Sequence, residues 1–427
     1  MFKKVFLFVT FLVNLIFILF LTSSKGNILE EREKRLITFE PEEGYYGSIV
    51  SIRVDDSINI GNNRVIFGDT ECKDYDFDYI SYSNNEIKVK VPTGARSGKI
   101  KLILDNEVIE SDKNFKILNE NSRIYYDPMD LTIDYTLIIN MHQNLDTPLY
   151  VWLPSAVPSD TQRDVSLISK SGNYFETQNN MLDLFILDNV KENREYYVSK
   201  KFSYTSYAVR TIVNEDEVFD SDYDRESEFY KYYTSPEYGV ESDSPQIIEL
   251  AKTIAKDEKN PYKKARLFYD WVIKFLDYQY PPPNRDWRAI SALKTGRGDC
   301  AVYSFLFTAL CRASGIPARP IAGHVLFKNN IVSMHFWAEF YIPKYGWIPV
   351  DANYGDCDGY GFEQKNFYFG NMDNRHIGFS KGIVNMRLPD FNKNFNIRYL
   401  QKFHIYSRTK LSENSYTLKR VIVRVME

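Results

Sequence analysis

Cysteine and histidine are scarce in this chain, with four and five copies among 427 residues. Cys72, Cys300, Cys311 and Cys357 are scattered and show no CxxC spacing, so a disulfide framework is excluded and zinc finds no ligand cluster. Lys/Arg-rich patches are lacking too, and with a net charge of −4 nucleic acid is not expected as a partner. There is no internal repeat, low-complexity tract or long block of one charge. Asp220, Asp222 and Asp224 imitate the opening of a calcium loop, but Arg225 stands where the sharp turn needs glycine. No cofactor and no metal are expected.

What remains is a globular composition. Hydrophobic residues make up 44% and charged residues 26%, which excludes wholesale disorder. The length exceeds one ordinary core and calls for two to four domains. Lys3 and Lys4 precede an apolar run, Val5 to Leu21, whose one strongly polar residue is Asn14, and Thr22-Ser23-Ser24 offers a small-residue exit. This is the pattern of an export signal, with an uncleaved anchor as the close second. The chain is therefore expected outside the cytoplasm (secreted, periplasmic or membrane-anchored), touching the membrane only through residues 1–24. A charged linker, 25–35, follows.

Residues 36–118 read as all-β, with strand-like stretches at 48–53, 64–67, 86–91 and 99–104 between Gly, Asn, Pro and Asp turns. Pro41 to Val50, Val65-Ile-Phe-Gly68, Val91-Pro92 and Ser97-Gly98 together resemble the IPT/TIG immunoglobulin-like fold. In residues 123–213, Leu131, Ile133, Tyr135, Leu137, Ile139 and Met141 alternate with mostly polar residues, as a half-buried strand should. An acidic linker is expected over 214–243. Helices begin at Ser244-Pro245 and again at Asn260-Pro261, each a cap followed by a first-turn proline. The segment 386–427 ends in a strand-like stretch, 416–425, that can close a sheet.

The chemistry concentrates in one segment. Gly298-Asp299-Cys300 runs straight into an amphipathic helix with Val302, Phe305, Leu306, Ala309, Leu310 and Ala313 at helical spacing. Asp299 is a natural N-cap, which puts Cys300 first in the helix. A thiol there faces unpaired backbone N–H groups and the positive end of the dipole, which favour the nucleophilic thiolate, while the Asp299 carboxylate acts the other way. A nucleophilic thiol also needs a base. Met334 to Tyr341 reads as a strand with His335, Trp337 and Glu339 on one face. Pro343 to Gly346 turns the chain, and Trp347 to Val350 returns to Asp351. A simple turn at Lys344-Tyr345 sets Asp351 nearer Ala338 than His335, so an offset or bulge is expected. The roles that follow are Cys300 as nucleophile, His335 as base and Asp351 as its orienter. Each residue alone has an ordinary structural reading; the set, in this order, does not. Cys311, about 16 Å along the same helix by its rise, is read as core packing. His324 is a candidate to line the cleft but is read as structural, and His142, His376 and His404 have no motif around them.

Gly298-Asp-Cys300, Ala309-Leu-Cys-Arg312, Gly315-Ile-Pro-Ala-Arg319, Ala322-Gly323, His335-Phe-Trp-Ala-Glu339 and Gly346 to Asp351 resemble the transglutaminase-like superfamily in its bacterial branch, over residues 244–385. Tyr368-Phe-Gly370 and Phe379-Ser-Lys-Gly382 extend the likeness. The resemblance implies a multidomain chain: an Ig-like sandwich, a second β-domain, then an α+β, papain-like core in which a cysteine-bearing helix packs on an antiparallel sheet. It implies a Cys-His-Asp triad and an acyl-thioester on Cys300, formed from a protein or peptide substrate. Hydrolysis is favoured, and acyl transfer to amines stays open. Oxyanion donors are the Cys300 backbone N–H and a group upstream, for which Gln279 and Trp287 are candidates. The competing class is a non-catalytic surface protein whose β-domains bind glycan or protein.

Overall fold

The structure is a computed structural model, and it describes residues 37–54, 63–83, 85–104, 107–171, 173–175, 182–327, 332–357, 365–388, 391–397 and 399–426. The expected export segment and the linker after it lie outside these residues. Among the described residues no helix is long and apolar enough to cross a membrane.

Residues 37–117 form two facing sheets. One sets Ile37–Glu40, Ile49–Val54, Glu86–Lys90 and Tyr79–Tyr82 side by side in that order. The other runs Glu43–Gly44, Glu107–Ile117, Gly98–Leu104, Arg64–Phe67 and Thr70–Glu71. Strand alternation builds the interior: Val50, Ile52 and Val54 turn inward to meet Phe67, Leu102 and Phe115. Each such side chain contributes roughly 1.5–3 kcal/mol on burial.

The second β-region is organised by the long strand Arg123–Met141, which pairs with Glu195–Thr211 on one side and Tyr416–Met426 on the other. A second sheet places Leu149–Pro154 between Leu182–Leu187 and His404–Ser407. The C-terminal segment thus closes both sheets of a unit that begins nearly three hundred residues earlier. Leu137, Ile139, Val151, Leu153 and Phe185 fill the space between the sheets.

The helix Cys300–Ala313 is the spine of the remaining unit. It is buried all round from Ala301 to Arg312, not on one face only. The reason lies in its polar face, where every group finds a partner. Ser304 donates to the Trp337 carbonyl at 2.5 Å, Thr308 to the Ser304 carbonyl at 2.8 Å, and Arg312 to the Ala318 carbonyl at 2.8 Å and Glu237 Oε1 at 2.8 Å. Satisfied in this way, the polar face can be covered without the usual desolvation cost. Helices Pro245–Ala255 and Pro261–Phe275 pack on it. Asn260 caps the latter, accepting from the Tyr262 and Lys263 amides at 2.9 and 3.1 Å; Ser244 makes no equivalent side-chain bond. On the other side lies an antiparallel sheet in the order Gly346–Val350, Val332–Ile342, Ala318–Leu326, His376–Lys381.

The acidic stretch 214–243 is docked, not free-running. It contains the helix Glu228–Thr234, buries Tyr230 and Tyr233, and ties Tyr223 Oη to the Tyr341 carbonyl at 2.7 Å. Its aromatic residues outweigh its charge. Beside it, the fully buried Arg319 joins the sandwich to the core. Its guanidinium donates to Asp76 at 2.5 Å, to Glu339 at 2.8 and 3.0 Å and to Tyr233 Oη at 3.0 Å, and stacks 3.8 Å over Trp347.

Candidate active site

Cys300 opens its helix, half-buried, directly after the N-cap Asp299. Asp299 Oδ1 accepts from the Ala301 and Val302 amides at 3.1 and 3.3 Å, and its Oδ2 accepts from the Trp287 indole N–H at 2.8 Å. The Trp287 N–H is thereby committed to the cap, so this candidate oxyanion donor serves the helix start instead. Gln279 lies half-buried alongside, its backbone N–H donating to the Gly298 carbonyl at 2.8 Å. Gly298 is required there: a Cβ would run into the Val302 side chain in the turn that follows.

His335 stands near the start of the central strand Val332–Ile342, and the Ser304–Trp337 hydrogen bond pins the Cys300 helix to that strand two residues away. The hairpin pairs Ala338 with Val350 and Tyr341 with Trp347, with no bulge. Continued one step, this register sets Asp351 opposite Trp337, not His335. The expected offset is not made by the backbone. Asp351 reaches His335 on the diagonal, which long side chains on one sheet face can span. His335 Nε2 and Asp351 Oδ2 are 2.6 Å apart, while Asp351 Oδ1 accepts from the Tyr354 amide at 2.9 Å. That leaves His335 Nδ1 for the thiol.

The electrostatics agree with this order. Burial pulls His335 downward, but the Asp351 carboxylate and the neighbouring Cys300 outweigh it and hold the ring up at about 9. Burial pushes Asp351 upward, and His335 and His376 overcome it, bringing the carboxyl to about 2. Both side chains are almost fully enclosed. Tyr278, 58% exposed, is raised by its partial burial first, with a smaller push from the charge that Cys300 can carry.

One residue without a motif belongs to the cluster. His376, on the strand His376–Lys381, donates from Nε2 to Asp351 Oδ2 at 3.0 Å and from Nδ1 to Asp373 Oδ1 at 2.7 Å. Asp373 is fixed in turn by Tyr368 Oη at 2.7 Å and the Arg375 amide at 2.8 Å. Gly323 makes this possible. It lies opposite His335 in the ladder, and a Cβ there would collide with the Ile377 carbonyl, so only glycine lets the His376 strand close up. The sole sequence signal was Asp373 three residues before His376 in a histidine-poor chain. His335, Asp351 and His376 offer ligand atoms within 4.8 Å of one another, and the two carboxylate–imidazole hydrogen bonds account for that spacing in full.

The other candidates stand apart from this chemistry. His324 packs edge-on against Phe379, 4.9 Å between centroids, and burial lowers it to about 4. Cys311 is fully buried and its thiol is pushed well up by desolvation.

Residues 248–352, which span the cysteine helix and the His335–Asp351 hairpin, match the transglutaminase-like superfamily model. The chain thus carries a transglutaminase-like domain. An uncharacterised protein of Haemophilus influenzae is 29% identical over 168 residues, covering 31% of this chain and 46% of the relative. A protein-glutamine gamma-glutamyltransferase of Pseudomonas aeruginosa is 35% identical over 69 residues, 14% of this chain and 10% of that enzyme. The chain therefore spans less than half the length of these curated relatives. Among solved structures, a candidate cysteine protease of Cytophaga hutchinsonii aligns with a TM-score of 0.45 at 18% identity, over 71% of this chain and 99% of that one. The periplasmic domain of TgpA from Pseudomonas aeruginosa aligns with a TM-score of 0.32 at 14% identity, over 73% and 88%.

Proposed function

We propose that the chain is a thiol enzyme that acts on peptide or amide bonds through an acyl-thioester on Cys300. The observation that carries this reading is the buried His335–Asp351 pair at 2.6 Å beside a cysteine at a helix start. In the reaction, His335 Nδ1 takes the Cys300 proton, and the sulfur attacks the substrate's acyl carbon. Asp351 holds the ring by Nε2 and stabilises the imidazolium. The tetrahedral oxyanion forms next to the Cys300 backbone N–H, which the Asp299 side chain does not engage. Gln279, alongside Gly298, is the second donor. His335 then returns the proton to the departing amine. Water resolves the thioester in a hydrolase and a primary amine in a transferase, the latter being the activity named for the Pseudomonas relative.

We take the reaction to occur outside the cytoplasm, on the strength of Lys3, Lys4 and the apolar run Val5 to Leu21. The IPT/TIG-like sandwich and second β-region are read as substrate-side modules for a protein or glycan surface. Iodoacetamide at neutral pH, with mass-spectrometric site assignment, tests the proposal. Cys300 should be alkylated faster than a free thiol, and Cys300→Ala should abolish turnover of p-nitrophenyl acetate. Ordinary reactivity at Cys300 together with full turnover in the alanine variant would leave the non-catalytic surface protein as the reading to keep.

A further inference from the structure

His376 cannot be neutral in the arrangement described. A neutral imidazole donates one hydrogen bond, whereas both His376 nitrogens face carboxylate oxygens, which only accept. Nε2 meets Asp351 Oδ2 at 3.0 Å and Nδ1 meets Asp373 Oδ1 at 2.7 Å. The side chain is 1% exposed, so water cannot supply a missing acceptor or screen the charge. Around it stand the rings of Trp337, Tyr354, His335 and Tyr368, with centroids 5.1, 5.3, 5.5 and 5.9 Å away, and the charged Glu339, Lys381, Arg123 and Asp160 line the same cavity. No other charged group is hydrogen-bonded or ion-paired to the ring among the described residues. A line of alternating charge results: Asp373 negative, His376 positive, Asp351 negative, His335 the proton carrier, Cys300 the nucleophile.

We propose that His376, held as a cation between Asp373 and Asp351, is a positioning residue of the proposed active site that shares the Asp351 carboxylate with His335 and so limits how strongly Asp351, at Nε2, favours the imidazolium that His335 must discharge from Nδ1. This rests on the thiol-enzyme reading above. His335 has two opposed tasks, to give a proton to the departing amine and to take one from water. A carboxylate serving His335 alone would favour the imidazolium so strongly that the first task suffers. With Oδ2 divided between two imidazole donors, and a second positive charge 5.5 Å from the His335 ring, the proton stays transferable.

Five histidines make the test direct, since the ring signals of selectively 13C-labelled protein can be assigned by substitution. His376→Gln removes the charge and keeps a donor. His335 should then release its proton about one pH unit higher than in the unmodified protein. The pH inflection of p-nitrophenyl acetate turnover should rise by a similar amount. Asp373→Asn, at the more exposed end of the line, should shift both in the same direction by less, and it keeps the proposal testable if His376→Gln does not fold. A His335 midpoint that is unchanged or lower in the folded variants overturns the proposal, because loss of a purely structural support loosens Asp351 and lowers His335. The histidine titration needs no activity. If Cys300 proves unreactive while the shift appears, the thiol-enzyme reading fails alone; if Cys300 reacts and no shift appears, only this inference fails.

Discussion

Replacing Asp351 by asparagine removes one buried negative charge and leaves the shape of the side chain almost unchanged. The structure says how much that charge is worth. His335 is only 5% exposed, and burial alone would press it below its ordinary 6.5, yet it stands at about 9. A rise of that size corresponds to about 3 kcal/mol in favour of the imidazolium. Solvent screening takes little of it away, because both partners are enclosed. Without the carboxylate, His335 should titrate at or below 6.5 and be mainly neutral at pH 7. The His335 imidazolium should then lose population relative to the neutral ring by roughly a hundredfold, the factor that about 3 kcal/mol sets. Two measurements check this: the 13C-histidine titration of His335, and the rate of Cys300 alkylation by iodoacetamide from pH 5 to 10. The expected result is a downward move of the His335 midpoint and a fall of at least about thirtyfold in alkylation at pH 7, allowing for partial compensation. If His335 still titrates near 9 in Asp351→Asn, or alkylation at pH 7 stays within about threefold, the account of Asp351 as the group that holds the His335 imidazolium is wrong.

Gly323→Ala should destabilise the protein by about 2 kcal/mol or more, since the new methyl meets the Ile377 backbone carbonyl and cannot be accommodated by a rotamer change; urea denaturation reads this, and a loss under about 0.5 kcal/mol would mean the strands are not so closely apposed. Arg319→Met strips the half-buried Asp76 of its partner and leaves the buried Glu339 to Lys381 alone, and should cost about 3 kcal/mol, with Arg319→Lys recovering only part because it cannot bridge both. Protection of the 37–117 sandwich from proteolysis should fall in parallel. The pH dependence carries a definite sign. His335 and His376, raised from 6.5 to about 9 and about 10, contribute stability that is full below pH 6.5 and lost as pH rises through those values. Asp351, lowered from 3.8 to about 2, contributes stability that is full above 3.8 and lost as pH falls toward 2. The stability difference between the unmodified protein and Asp351→Asn should therefore be largest between about pH 4 and 6.5 and shrink on both sides; a difference that stays flat from pH 5 to 10 would contradict the assigned protonation states.

What could be foreseen from the chain, and what could not, divides along sequence separation. The start of the Cys300 helix is a local event, since Asp299 caps amides two and three residues on and Gly298 makes room for Val302. The hairpin that returns Asp351 toward His335 is local as well, and its error was one of geometry: a strand offset was expected where a diagonal side-chain reach suffices. His376 was missed for a different reason. It joins the cluster only because Ala318–Leu326 carries it from the far side of the sheet, across a glycine whose need is invisible until Ile377 is seen beside it. Ser304 carries no motif, although its hydroxyl ties the nucleophile's helix to the base's strand. The acidic 214–243 stretch misled through composition, because three buried tyrosines decide its placement more than its carboxylates do. A charge line such as Asp373–His376–Asp351–His335 leaves no periodicity along the chain, because its members come from one hairpin and the strand on the far side of its neighbour. It can be expected only where a buried carboxylate already serves one imidazole through a single oxygen and has an open lone pair on the same side. Asp351 meets that condition through Oδ2, which is why the second histidine is better read as part of the proton-handling apparatus than as packing.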